Sequence, residues 1–511
     1  MGTPQRRIIG LVSAVLALAL IIAGCTISRR DRSTNVLPTP AAGTASWRDC
    51  GDVARQVAGR KPANVTYECA TITVPRDWAA AAGSSGTFDI ALLRARASGQ
   101  RDRIGSLVVN PGGPGASGIS TAVYLSVGLP VDVTRRFDIV GFDPRGVGRS
   151  SQVKCMSDAD LDASFAYEPD PVSQAAFEGA VALTRKSGAD CAAKYGDTLR
   201  LFSTEQAARD MEAVRTAVGD PKITYLGYSY GTLLGATYAQ LFPQQIRAFV
   251  LDGAVDPTQS FVEGSESQAK GFERAFTNLT DWCRTSAGQC PIAPDARAAL
   301  VEALANARAN PVKGKDGREA TTGWVFTAVV ASLYTQSRWS DLTTAIADLK
   351  KGDADGVFEL ADGYAERDSS GHYSNLFDAN AAVNCADTDE TITVDQVRAL
   401  QSEWRAKYPL FGAPSAIGLL TCAQWPGKRD PYPTGPATGA PPIVVVGTTG
   451  DPATPYEQTA KLADMLGVGV VLTWDGEGHT AYPETRCINQ AVNAYLLTIK
   501  PPAANTTCPA S

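Results

Sequence analysis
A chain of 511 residues, 44% hydrophobic and 20% charged, has an ordinary globular composition and enough apolar residues for a large core, which excludes a disordered or fibrous protein. Its formal net charge of −6 supplies no basic footprint for nucleic acid. There is no Walker loop, no H-E-x-x-H and no zinc-type cysteine pairing, and Gly146-Val147-Gly148 lacks the third glycine of a dinucleotide site, so neither a cofactor nor a metal is expected.

The chain opens with a targeting segment. Arg6-Arg7 is its cationic start and Ile8–Ile22 its apolar stretch, ending in Ile22-Ala23-Gly24-Cys25, a lipobox-type sequence. The expected processing removes residues 1–24 and acylates Cys25, and two acyl chains on one cysteine give stable anchoring. A plain signal peptide or an uncleaved membrane helix is the alternative. Residues 25–46 are polar, carry Pro38 and Pro40, and read as a flexible tether on the outer face of the cytoplasmic membrane.

Residues 47–256 read as the first part of an α/β core. Strands are expected at Tyr67–Val74, Phe88–Ala95, Ile104–Val109 and Phe137–Phe142. The third leads into the glycine-rich turn Asn110-Pro111-Gly112-Gly113-Pro114-Gly115. Ser203–Val218 reads as a helix, with Ser203 and Gln206 forming a capping box. The apolar run Ile223–Leu226 then meets Gly227-Tyr228-Ser229-Tyr230-Gly231, followed by the helix-like run Thr232–Leu241. This is a nucleophile elbow: a serine on a strained strand-to-helix turn, flanked by glycines because the backbone there crowds its neighbours. A glycine-flanked surface turn is the bland reading of the same five residues.

A serine hydroxyl is a poor nucleophile until a base takes its proton. The chain holds two histidines. His372 lies in a polar loop and reads as solvated. His479 follows the apolar run Val470–Leu472 and reads as the base. Asp451 follows the strand Ile443–Val446 and the turn Gly447–Gly450, where a carboxylate can orient the imidazole. Asp252 and Asp256, after the strand Ala248–Leu251, are rival acids. Thr454 either hydrogen-bonds near the acid or starts the next helix. The order Ser229, Asp451, His479 is that expected of an α/β-hydrolase.

Between residues 257 and 426 strand signals stop. Ala269, Phe272, Phe276, Leu279 and Cys283 mark one helical face, and further helices are expected at Pro294–Ala307, Gly323–Tyr334 and Asp341–Leu349. The segment reads as a mainly helical cap on a mostly parallel sheet with helices on both faces; residues 427–511 return to the core. Eleven cysteines less Cys25 leave ten, an even number suited to disulfides in an exported chain. Nearest-neighbour pairing gives Cys50–Cys69, Cys155–Cys191, Cys283–Cys290, Cys385–Cys422 and Cys487–Cys508.

Together with the lipobox-type leader, the motifs Asn110–Gly115, Phe142-Asp143-Pro144-Arg145-Gly146, Gly227–Gly231, Leu251-Asp252-Gly253, Asn384-Cys385-Ala386-Asp387, Asp451-Pro452-Ala453-Thr454-Pro455 and Gly478-His479 resemble the secreted tripeptidyl aminopeptidases of actinobacteria, relatives of the proline iminopeptidases among the α/β-hydrolases. The resemblance spans roughly residues 45 to 508. It implies Ser229 as nucleophile, Asp451 as acid, His479 as base, and the amides of Tyr230 and Gly113, or Gly112, as oxyanion donors. The iminopeptidases usually begin the glycine loop with histidine; here Pro111 stands in that place. The implied activity is release of short peptides from free N-termini, with Asp387 as the candidate for capturing the substrate ammonium. An esterase or lipase using the same triad, and an envelope binding protein with a vestigial site, are the competing readings. Oligomeric state is not legible in the sequence.

Overall fold
The computed structural model describes residues 45–510; the leader, the Cys25 lipidation site and nearly all of the expected tether lie outside the described residues. A ten-stranded sheet organises the chain. Its strands are β1 (Arg48–Asp49), β2 (Val65–Pro75), β3 (Thr87–Ala97), β4 (Gly105–Asn110), β5 (Phe137–Phe142), β6 (Ile223–Tyr228), β7 (Ile246–Asp252), β8 (Ile443–Gly450), β9 (Gly469–Glu477) and β10 (Thr506–Cys508). They lie in the order β1-β2-β3-β5-β4-β6-β7-β8-β9-β10. The first three pairings are antiparallel and all the others parallel. β4 and β5 are buried at every position, which explains their unbroken apolar runs: a parallel strand covered on both faces has no side to leave polar. This is the α/β-hydrolase sheet.

The helix α1 (Thr204–Val218) precedes β6, and α2 (Tyr230–Leu241) follows it. The expected capping box at Ser203 and Gln206 does not form. Ser203 Oγ donates instead to Asp430 Oδ2 (2.9 Å), and Gln206 Oε1 accepts the Trp78 N–H (3.0 Å). Asp387 supplies the cap, with Oδ1 accepting the Thr204 N–H at 2.7 Å. A carboxylate delivered from far along the chain is favoured over a neutral local partner at the positive end of a helix.

Between β7 and β8 the chain is helical, apart from a hairpin pairing Val312–Lys313 with Glu319–Ala320. The helices α3 (Phe261–Thr285), α4 (Thr322–Leu333) and α5 (Leu376–Asp387) bear on the site. All five residues expected on one face of α3 are buried, and Phe272, Phe276, Leu279 and Cys283 pack with Trp324, Leu342, Ile346 and Phe358 in a core separate from the sheet's. A second segment joins this layer from between β5 and β6. Leu161 enters the same core, Phe177 and Val181 bury against Trp404 and Leu420, and Asp170 pairs with Arg405 through Nε and Nη2 (2.8 and 2.5 Å). The partners of Asp170, Phe177 and Val181 lie more than two hundred residues away in sequence, so local periodicity gave no sign of them. All five expected disulfides are present. No helix among the described residues is long and apolar enough to cross a membrane.

Candidate active site
Ser229 stands between β6 and α2 with φ 55° and ψ −126°, a region that non-glycine residues avoid and that persists only when the surroundings fix it. Several contacts do so. The Ser229 N–H donates to the Asp252 carbonyl at 2.9 Å and its own carbonyl accepts the Thr232 N–H at 2.8 Å. A methyl group at Gly227 would lie 2.4 Å from the Gly231 carbonyl oxygen, and one at Gly231 2.8 Å from the Asn110 oxygen. The two glycines are therefore required by close approach of backbone. Tyr230 opens α2, so its N–H has no acceptor within the helix.

The glycine loop lies directly against the elbow. A Cβ at Gly112, where φ is +93°, would sit 2.9 Å from both Ser229 Cβ and the Tyr230 nitrogen. The Gly112 N–H is taken by Asn110 Oδ1 at 2.9 Å, which leaves the Gly113 amide (φ +105°) as the loop's candidate oxyanion donor. Asp143 braces the same loop from β5: its carboxylate accepts the Ser117 hydroxyl (2.7 Å) and the N–H groups of Ile119 (3.1 Å) and Arg149 (2.8 Å).

Asp451 and His479 meet at the ends of β8 and β9. His479 Nδ1 lies 2.9 Å from both carboxylate oxygens of Asp451. Asp451 is fully buried and also accepts the N–H groups of Ala453 (2.9 Å) and Thr454 (2.8 Å) and the Thr454 hydroxyl (2.9 Å). Thr454 is thus a ligand of the acid. Burial opposes charge on the imidazole, but the charge and hydrogen bond of Asp451, with a smaller contribution from Asp252, outweigh it and raise the His479 pKa above its ordinary value. The contact between Ser229 Oγ and His479 is not among the hydrogen bonds of the described residues. The imidazole packs on Gly253, where a Cβ would lie 3.1 Å from His479 Cε1, and the preceding residue, Asp252, holds the Ser229 main-chain N–H. Nucleophile–base bonds commonly tighten only with substrate bound.

The helical layer reaches this centre at several points. The Tyr334 carbonyl accepts the His479 N–H at 2.7 Å, and the Tyr334 ring stands edge-on to the imidazole, with centroids 5.3 Å apart. Arg274 donates to the Asp451 carbonyl at 2.9 Å. On α5, Asn380 donates to the Pro114 carbonyl at 3.1 Å, and Leu376 approaches Gly113 and Gly115.

Asp387 has partners other than those expected of an ammonium anchor. It is buried, and its oxygens accept the Thr204 N–H (2.7 Å) and hydroxyl (2.6 Å). The Thr204 hydroxyl has one proton, given to Asp387, so the Tyr230 phenol 2.5 Å away donates to it. Burial, with the neighbouring Asp430 charge, lifts the Asp387 pKa to about 7 against the bonds from Thr204. A carboxylate so placed caps α1 and holds Tyr230 from behind. Of the rival acids, Asp256 accepts the N–H and hydroxyl of Thr258 (2.9 and 2.7 Å), while Asp252 binds the loop beyond His479. His372 is exposed and lies 2.8 Å from Asp158. Among the described residues the grouping suited by distance to a metal is Cys155, Cys191 and Asp378, but those cysteines share a disulfide and cannot serve as thiolate ligands.

A family model described as TAP-like protein matches residues 408–508. The chain is 38% identical to serine protease Hip1 of Mycobacterium tuberculosis strain H37Rv over 98% of each chain. It is 36% identical to carboxylesterase B of the same strain over 98% of each. With a tripeptidyl aminopeptidase of Streptomyces lividans it shares 29% identity over 98% of this chain and 94% of that one. A sheet carrying a serine elbow, with an aspartate–histidine pair at the ends of its later strands and relatives along its whole length, leaves one assignment: the chain belongs to the tripeptidyl-aminopeptidase-like family of α/β-hydrolases and is a serine hydrolase.

Proposed function
We propose that this serine hydrolase is an exopeptidase that removes short peptides, tripeptides foremost, from free N-termini. In this reading Ser229 attacks the scissile carbonyl while His479 Nε2 takes its proton. Asp451 holds Nδ1 and stabilises the imidazolium. The oxyanion sits on the Tyr230 and Gly113 amides, His479 protonates the leaving amine, and water releases the acyl-enzyme. One observation carries this mechanism: the bonded Asp451–His479 pair packs on Gly253, beside the residue that holds the Ser229 amide.

Peptide as substrate is supported by the serine protease and tripeptidyl aminopeptidase relatives, and the helical layer over the glycine loop is suited to limiting what enters. The carboxylesterase relative favours a second reading, ester hydrolysis by the same triad. Rates on tripeptide anilides with free and N-acetylated termini separate the two: exopeptidase action requires the free amine, and equal rates overturn it. The leader motif supports export and anchoring through acylated Cys25, with residues 25–46 as tether. Cys25→Ser is then expected to shift the enzyme from the membrane fraction to the medium; unchanged membrane association overturns the anchor.

A further inference from the structure
Asp252 ends β7 and is fully buried. Its main-chain carbonyl accepts the Ser229 N–H at 2.9 Å. Its carboxylate accepts the Ala481 N–H with both oxygens at 3.0 Å and the Tyr482 N–H at 2.7 Å. One residue therefore binds the turn that carries the nucleophile and the loop that carries the base. The next residue, Gly253, has φ +72°, and a Cβ on it would lie 3.1 Å from His479 Cε1 and from Thr454 Oγ1, so the imidazole and the ligand of Asp451 both rest on this stretch of backbone. Immediately before the two bound amides stands Thr480, at φ 72°. A β-branched residue in that region needs outside constraint. Two successive N–H groups converging on an anion supply it.

Resting on the Ser229–His479–Asp451 reading, we propose that Asp252 is a positioning residue of the reaction: through its carbonyl and its carboxylate it fixes the separation between nucleophile and base, and its charge adds to that of Asp451 behind the imidazole. The ionisable groups facing it are His479 and Tyr482 from the base loop, Asp451 from β8 and the Tyr228 phenol from β6. Tyr334, from α4's end, faces His479 on its other side.

The test is Asp252→Asn, which keeps the shape but replaces one acceptor oxygen with a donor. Competent sites are counted with a fluorophosphonate, and kcat and KM are taken per labelled site. The expected result is a kcat lower by about 10- to 100-fold with KM within about 3-fold, the range that small misplacements of reacting groups produce. The acid limb of the pH–rate profile should also move to lower pH, because removing a negative charge near His479 lowers its pKa. Normal kcat per labelled site with an unmoved acid limb overturns the proposal and leaves Asp252 a folding residue. If the variant does not fold, wild-type NMR decides: the Ala481 and Tyr482 amide protons, held by a buried carboxylate, should resonate downfield of ordinary amides and exchange slowly with solvent. Amide protons at ordinary positions that exchange as fast as those of an open loop overturn the proposal. A fault in the triad reading appears separately, as wild-type enzyme that the fluorophosphonate does not label, while the NMR measurement still reports on Asp252.

Discussion

Asp451 and Asp387 are built alike and meet different neighbours. Each is buried and accepts the N–H and hydroxyl of one threonine, Thr454 in the first case and Thr204 in the second. What differs is the group beyond. Asp451 faces an imidazole, whereas Asp387 faces a helix start and, through Thr204, the phenol of Tyr230. Satisfaction of a buried carboxylate is thus a common requirement of folding, and only the remaining neighbour, an imidazole or a helix start, tells the two apart.

Removing the charge of each aspartate sharpens that contrast most. Asp451→Asn is expected to lower kcat by about 10,000-fold, the scale of the same change in a serine protease triad, with melting temperature nearly unchanged. A loss below about 10-fold would show that another acid, Asp252 first, does the work. Thr454→Val deletes one hydrogen bond to Asp451, and a fall in kcat/KM of about 10-fold is expected from about 1.4 kcal/mol; an unchanged rate would make Thr454 only the start of its helix. Asp387→Ala should instead appear in denaturant unfolding, as a loss of about 1–2 kcal/mol from the uncapped helix, with kcat within about 10-fold. If KM rises for free but not for blocked N-termini, Asp387 returns as an ammonium anchor. The smallest effect is on pH. A base must be neutral to accept a proton, and the His479 pKa is raised, so activity should be present above that pKa and lost as pH falls through it, with a midpoint above the usual value of about 6.5. Asp387→Asn should leave that midpoint in place. A wild-type profile flat down to pH 4 would remove His479 from the mechanism.

The candidate triad was legible because each of its residues follows a strand, and burial of a strand writes an apolar run into the sequence. His479 follows the half-buried strand Gly469–Glu477 at some distance from its apolar run, whereas Ser229 after Ile223–Tyr228 and Asp451 after Ile443–Gly450 carry the signature of a buried strand. Asp252 carries it too, and only coordinates separate it from Asp451, because the choice depends on which acid meets Nδ1. The cap on α1 was misread for a related reason. Ser203 and Gln206 have the right spacing, but Asp387 arrives from 183 residues away, and a charge at a helix N-terminus prevails over local chemistry. The second contribution to the helical layer was hidden likewise: Asp170 looks like any surface acid until Arg405 stands beside it.

The bridges have a consequence for how the molecule is made. They join residues 19, 36, 7, 37 and 21 positions apart, and none encloses or overlaps another. Among these ten cysteines, a chain delivered amino end first therefore presents every thiol with its own mate before any of the others competes. Oxidant acting in order of emergence writes the native pattern, with no wrong pair for a reshuffling enzyme to undo.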